Sequence, residues 1–152
     1  MRIRVFDLAL ILAALLACNQ STPAAAELEQ RAGTQIQRAP PGEVETILPR
    51  LQAQARKDGR QLLVVVSAPW CGTCKKFKAD VGAGRYDTIL GDFRFVEFDS
   101  SDDRERLEPA GCATKLIPMF AGFDADGHCV DSYAGYGTPV RMAARFRKLV
   151  VP

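Results

Sequence analysis

Five consecutive apolar residues, Leu62-Leu63-Val64-Val65-Val66, run straight into Ser67-Ala68-Pro69-Trp70-Cys71-Gly72-Thr73-Cys74. This junction constrains the fold more than any other stretch of the chain. An apolar run of that length, ending in three valines and bounded by turn residues, reads as a buried strand. The residues after Cys74 read as a helix, so the two cysteines stand where a strand hands over to a helix, with Cys71 at or near the helix N-terminus. Unpaired N–H groups and the helix dipole at such a position favour a thiolate over a thiol. A thiolate attacks disulfides, and a second thiol one helical turn away can resolve the mixed disulfide. The local chemistry therefore points to thiol–disulfide exchange, with Cys71 as the exposed nucleophile and Cys74 as the resolving thiol.

Other chemistries of a Cys-x-x-Cys pair fit less well. A zinc site needs two further ligands, usually a second close Cys/His pair. Here that would mean gathering Cys74 with Cys112, His128 and Cys129, which are scattered along the sequence. Covalent haem attachment requires a histidine directly after the second cysteine, and Lys75 stands there. A purely structural bridge over so short a loop contributes little.

The segment Trp70-Cys71-Gly72-Thr73-Cys74-Lys75 after a hydrophobic strand resembles the thioredoxin superfamily, over about residues 61–150. The resemblance implies an α/β fold, a thioredoxin-like three-layer sandwich with a central mixed β-sheet flanked by helices. It implies a protein-disulfide oxidoreductase whose redox-active centre is the Cys71–Cys74 pair, with no metal, nucleotide or flavin. Pro118, in Lys115-Leu116-Ile117-Pro118-Met119-Phe120, occupies the place of the family's cis-proline. The backbone of Ile117 would then pair with an extended partner segment. Trp70 would offer an apolar docking surface, and Gly72 and Thr73 would set the turn between the sulfurs. Val65 stands where many members carry a buried aspartate. Glu97 is a candidate for assisting proton transfer, set against a solvated strand residue. Lys75 and Lys76 read chiefly as exposed helix lysines. The implied partners are protein thiols and disulfides, among them a membrane electron donor or an apocytochrome. The expected state is a monomer.

The N-terminus bears on compartment. Arg2 and Arg4 precede the ten-residue apolar run Leu8–Ala17, which fits a secretory signal peptide and is too short to span a bilayer. The run ends in Leu15-Leu16-Ala17-Cys18, which resembles a bacterial lipobox, so residues 1–17 are read as a lipoprotein-type signal and Cys18 as the lipid-bearing residue. The alternative is cleavage after Ala24-Ala25-Ala26. Either route places the domain in the periplasm, and lipidation holds it at a bacterial membrane. Residues 18–42 hold few large apolar side chains and read as a flexible tether. A net charge of +2 gives no reason to invoke nucleic acid.

Residues 43–152 then form one domain. A helix is expected over Val44–Lys57, regular from near Leu48 because Pro49 suits only a first turn. Next come the strand Leu62–Val66, a helix from Cys71 to Val81, a short turn at Tyr86–Leu90 and the strand Phe93–Phe98. Arg104–Glu108 opens a helix behind a solvated acidic run, with Ser101 or Asp102 as N-cap. Met119–Phe123 and Cys129–Tyr133 form a hairpin around Asp124-Ala125-Asp126-Gly127. A final helix starts at Thr138-Pro139, with Val140, Ala144, Phe146 and Leu149 as its apolar side. Cys112 is expected near the active-site end of the sheet and Cys129 near the other, which disfavours a bridge: a five-residue strand spans roughly 17 Å, and bridged Cα atoms lie within about 7 Å. Both are therefore read as small buried residues, with Cys112 as a third reactive thiol the lesser alternative.

Overall fold

The computed structural model describes residues 33–150. Five strands form one sheet: β1 (Gln35–Arg38), β2 (Gln61–Ser67), β3 (Phe93–Asp99), β4 (Met119–Phe123) and β5 (Cys129–Ala134). Their order across the sheet is β1-β3-β2-β4-β5. β3 runs parallel to both β1 and β2, whereas β4 is antiparallel to β2 and to β5. The helices are α1 (Val44–Lys57), α2 (Gly72–Gly82), α3 (Asp87–Leu90), α4 (Arg104–Leu107) and α5 (Pro139–Leu149).

Alternation along the central strand explains the layers. Leu62, Val64 and Val66 face one core with α1 and Leu107 of α4; Leu63 and Val65 face the other with α2, α3 and α5. β3 divides likewise, Val96 and Phe98 to the first core and Phe93 and Phe95 to the second. Each such side chain leaving water contributes about 1.5–3 kcal/mol. The second core is aromatic: Phe120 of β4 lies 4.9 Å from Phe77, 6.1 Å from Phe95 and 4.7 Å from Phe146 between ring centroids. This is the expected mixed sheet between two helical layers.

Several expectations need correction. The segment 18–42 is not a tether throughout, because β1 lies within it. β1 pairs Gln35 with Arg94 and Arg38 with Glu97 at the sheet edge. Its backbone ladder, rather than apolar content, is what composition could not reveal. Side chains pin its flanks: Asp87 accepts from the Thr34 N–H at 2.9 Å, and Arg60 donates to the Gly33 carbonyl at 2.6 Å. Arg106 donates to the carbonyls of Pro40 and Gly42 at 2.7 and 2.9 Å.

α1 begins at Val44, not near Leu48, and carries Pro49 inside it. Burial of Val44, Ile47, Leu48, Leu51 and Ala55 on one stripe outweighs the backbone bond that proline cannot donate. The N-cap of α4 is Asp103. The acidic run is not simply solvated, since Asp99 and Asp103 are buried. Asp99 accepts from the N–H groups of Ser101 and Asp102, and Asp103 accepts from that of Asp99 and pairs with Arg38 and Arg106. The apolar face of α5 is Met142, Ala143, Phe146 and Leu149, with Val140 and Ala144 turned to solvent.

Gly122 on β4 lies directly against the C-terminal end of α5. A Cβ built there would stand 1.7 Å from the Leu149 carbonyl oxygen. Gly122→Ala should therefore force α5 to shift and cost about 1–3 kcal/mol or more, as overpacking does. A urea midpoint equal to that of the parent chain would show that this helix end yields freely.

Candidate redox site

The site lies beyond the C-terminal end of β2, where the central strand turns into α2. Cys71 is the N-cap of α2, in an extended conformation (φ −77°, ψ 107°), and its Sγ accepts the Cys74 N–H at 3.1 Å. This sulfur thus takes one of the donors that a helix start leaves without a backbone partner. Cys71 and Cys74 are joined by a disulfide, with Cα atoms 5.3 Å apart. Cys71 is less open than expected: it is 7% exposed, against 1% for Cys74. Of the two residues, Cys71 keeps the larger contact with solvent. Gly72 and Thr73 are exposed beside it, and Trp70 is 71% exposed.

Opposite the pair, the Ile117–Pro118 peptide bond is cis, as the resemblance implied. Ile117 packs on the cluster of Ala68, Cys71 and Cys74. Its own N–H and C=O form no hydrogen bond among the described residues. Leu116 beside it is 68% exposed. Trp70, Leu116 and the free backbone of Ile117 are thus apolar and strand-like features available to an incoming chain.

The charged candidates are occupied elsewhere. Glu97 accepts from the Ser67 hydroxyl and, at 2.8 Å, from Lys78 Nζ, so this carboxylate is tied between the end of β2 and α2. Neither Ser67 nor Lys78 stood out in the sequence, although Ser67 directly follows the apolar run and Lys78 is one turn beyond Cys74. Lys76 turns from the sulfurs to Asp80, 3.1 Å away. Asp80 also receives a hydrogen bond from Tyr136, whose hydroxyl in turn accepts from Tyr86 at 2.7 Å, and it pairs with Arg85 at 3.0 Å. The Tyr136 hydrogen bond, against the opposing effect of burial and with help from Lys76 and Arg85, holds the Asp80 carboxyl below the ordinary aspartate value. Burial first, and then the bond to Asp80, pushes the Tyr136 hydroxyl well above the ordinary tyrosine range. This network braces the far end of α2.

The other two cysteines overturn the sequence expectation. Cys112 and Cys129 form a second disulfide, with Cα atoms 5.2 Å apart. The 17 Å span assumed that Cys112 stays at the active-site end. Instead, the turn after α4 sets Ala110 and Cys112 against the start of β5, where the Cys129 N–H donates to the Ala110 carbonyl at 2.8 Å. The six residue steps from Cys112 to Pro118 reach back, a distance an extended chain covers at about 3.3 Å per residue. The two bridges use the sulfurs that a zinc cluster of Cys74, Cys112, His128 and Cys129 would have needed. Cys18 lies outside the described residues. Among the described residues, no helix is long and apolar enough to cross a membrane.

Residues 48–149 match the family model described as a thioredoxin-like domain. No curated protein matches the chain. Among solved structures, a mutant thioredoxin from Halobacterium salinarum superposes with a TM-score of 0.51 at 19% identity, covering 78% of this chain and 95% of that one. Oxidised thioredoxin from Plasmodium falciparum gives 0.50 at 16% identity over 77% and 99%. A structure bearing on thiol resolution of a yeast mitochondrial 1-Cys peroxiredoxin via glutathione/thioredoxin systems gives 0.51 at 20% identity over 75% and 95%. At these identities the likeness is one of fold.

Proposed function

The chain belongs to the thioredoxin-like domain family, and from that membership and the Cys71–Cys74 bridge we propose that it is a thiol–disulfide oxidoreductase acting on protein partners. The observation that carries the proposal is the bridge at the α2 N-cap, with Cys71 Sγ receiving the Cys74 N–H beside the unpaired Ile117 backbone. In the reduced form, the Cys71 thiolate attacks one sulfur of a partner disulfide, and the other partner sulfur leaves as a thiolate that takes up a proton. Cys74 gives up its proton and attacks Cys71 Sγ. The second partner thiol is released, and the Cys71–Cys74 bridge forms again. The partner gains two electrons, and a dithiol donor must restore the pair for the next cycle. Run backwards, the same steps oxidise a partner dithiol.

Cys71, with only an edge open to solvent, is activated locally. Its thiolate keeps the Cys74 N–H and the start of the α2 dipole, both of which stabilise negative charge. Trp70, Gly72 and Thr73 form the rim that a partner meets, and Ile117 and Pro118 form the facing wall. We read the chain as exported through residues 1–17 and held at the periplasmic face of a bacterial membrane by lipid at Cys18. There a membrane electron donor or an apocytochrome is a fitting partner.

Two linked measurements test this reading. The reduced protein should reduce the disulfides of insulin with dithiothreitol as donor. Iodoacetamide should modify Cys71 with an apparent pKa below the value of about 8.5 for a free cysteine. A Cys71 that titrates at or above that value, in a protein with no insulin turnover, leaves a docking domain that keeps the fold without the chemistry.

A further inference from the structure

The loop that presents Ile117 has almost no framework of its own. Among the described residues, Ala113–Ile117 makes no backbone–backbone hydrogen bond. The Thr114 hydroxyl, which accepts from the Leu116 N–H at 3.0 Å and donates to the Leu116 carbonyl at 3.2 Å, makes only a local turn. Beyond Pro118, β4 takes over through its ladders to β2 and β5. Before Ala113, the fixed point is Cys112, which is wholly buried and bridged to the half-buried Cys129 at the start of β5. Ile117 lies between two clusters: it packs on the core that includes Cys112 and against which Cys129 also packs, and on the small cluster of Ala68, Cys71 and Cys74.

We propose that the Cys112–Cys129 bridge is a positioning device for the redox site, holding Ala113–Ile117 so that the Ile117 backbone is preset to pair with a polypeptide. The favoured partner is a disulfide within an extended chain, which adds a short strand along Ile117. A small disulfide that touches only Cys71 gains nothing from the wall. Without the bridge, a polypeptide partner must order this segment as it binds, and that ordering entropy is lost from affinity. Cys112 and Cys129 touch no reacting atom; they act through Ile117. The proposal rests on the exchange reading only for the identity of the partner.

The full chain carrying Cys112→Ala and Cys129→Ala tests it. KM for insulin should rise about tenfold with kcat within about twofold of the parent, because binding rather than chemistry carries the ordering cost. The rate with the small aromatic disulfide 5,5′-dithiobis(2-nitrobenzoate) should not change. Amide hydrogen exchange should quicken over residues 113–117, with β2 and α2 still protected. A variant that does not fold is replaced by the parent chain under stepwise reduction, where exchange at 113–117 must rise in the species that has lost the second bridge. An unchanged KM, an equal slowing with both disulfides, or protection lost evenly across the domain overturns the proposal and leaves the bridge a general staple. If the parent chain turns over no insulin, the exchange reading fails, while the hydrogen-exchange result still decides whether the bridge anchors the loop.

Discussion

Cys71→Ser should abolish insulin-disulfide reduction, a loss on the order of 10³-fold or more, as expected when the attacking nucleophile itself is removed. A serine oxygen at the α2 N-cap can still accept the Cys74 N–H, so the helix start survives while the sulfur chemistry goes. The change also opens the Cys71–Cys74 bridge, whose short loop contributes little to stability. Far-UV circular dichroism and the urea midpoint should therefore stay close to those of the reduced parent. Cys74→Ser should behave differently: Cys71 still attacks, nothing resolves the product, and a mixed disulfide with the partner accumulates on a non-reducing gel. Turnover in Cys71→Ser at the parent rate would mean that another thiol does the work. In that variant Cys74 is left as a free but buried thiol, and Cys112 and Cys129 are held in the second bridge.

The redox site was legible because it is local. A strand, a turn and a helix start lie consecutively over residues 61–74, so spacing alone sets the two sulfurs one turn apart. The cis bond before Pro118 was legible only through family resemblance, since nothing about Ile-Pro in isolation demands it. What the sequence hid is long-range. β1 holds Ile36 as its one large apolar residue and is secured by its ladder to β3 and by Arg60 and Asp87, which lie dozens of residues further along the chain. The Cys112–Cys129 bridge depends on where the turn after α4 returns the chain, a matter of tertiary path that cysteine spacing does not encode. Glu97 was visible as a candidate, yet its partners Ser67 and Lys78 come from two other elements. In each case the missing information was a pairing between segments that periodicity treats separately.

Phe120→Ala should be the most damaging single change to the scaffold. Phe120 is wholly buried on β4, two residues beyond Pro118, and its ring meets Phe77 of α2, Phe95 of β3 and Phe146 of α5. Three elements thus lean on one side chain, and no neighbour can fill the space without leaving its own packing. Truncation of a buried phenylalanine costs about 3–5 kcal/mol through lost transfer and the cavity left behind. Against a total stability of about 5–15 kcal/mol for a typical domain, that removes a large share of the margin. Urea denaturation should show the midpoint falling steeply with an unchanged m-value, since the surface exposed on unfolding is nearly the same. Phe120→Leu keeps most of the volume and should lose much less. Phe77 ties this cluster to the helix whose first turn presents Cys71, so the alanine variant should also lose insulin turnover in proportion to its unfolded fraction. A folded Phe120→Ala protein with turnover as low as that of Cys71→Ser would show that the cluster positions the sulfur as well as supporting the sheet. A cost below about 1 kcal/mol would mean that the second core closes over the gap, contrary to the close packing of protein interiors.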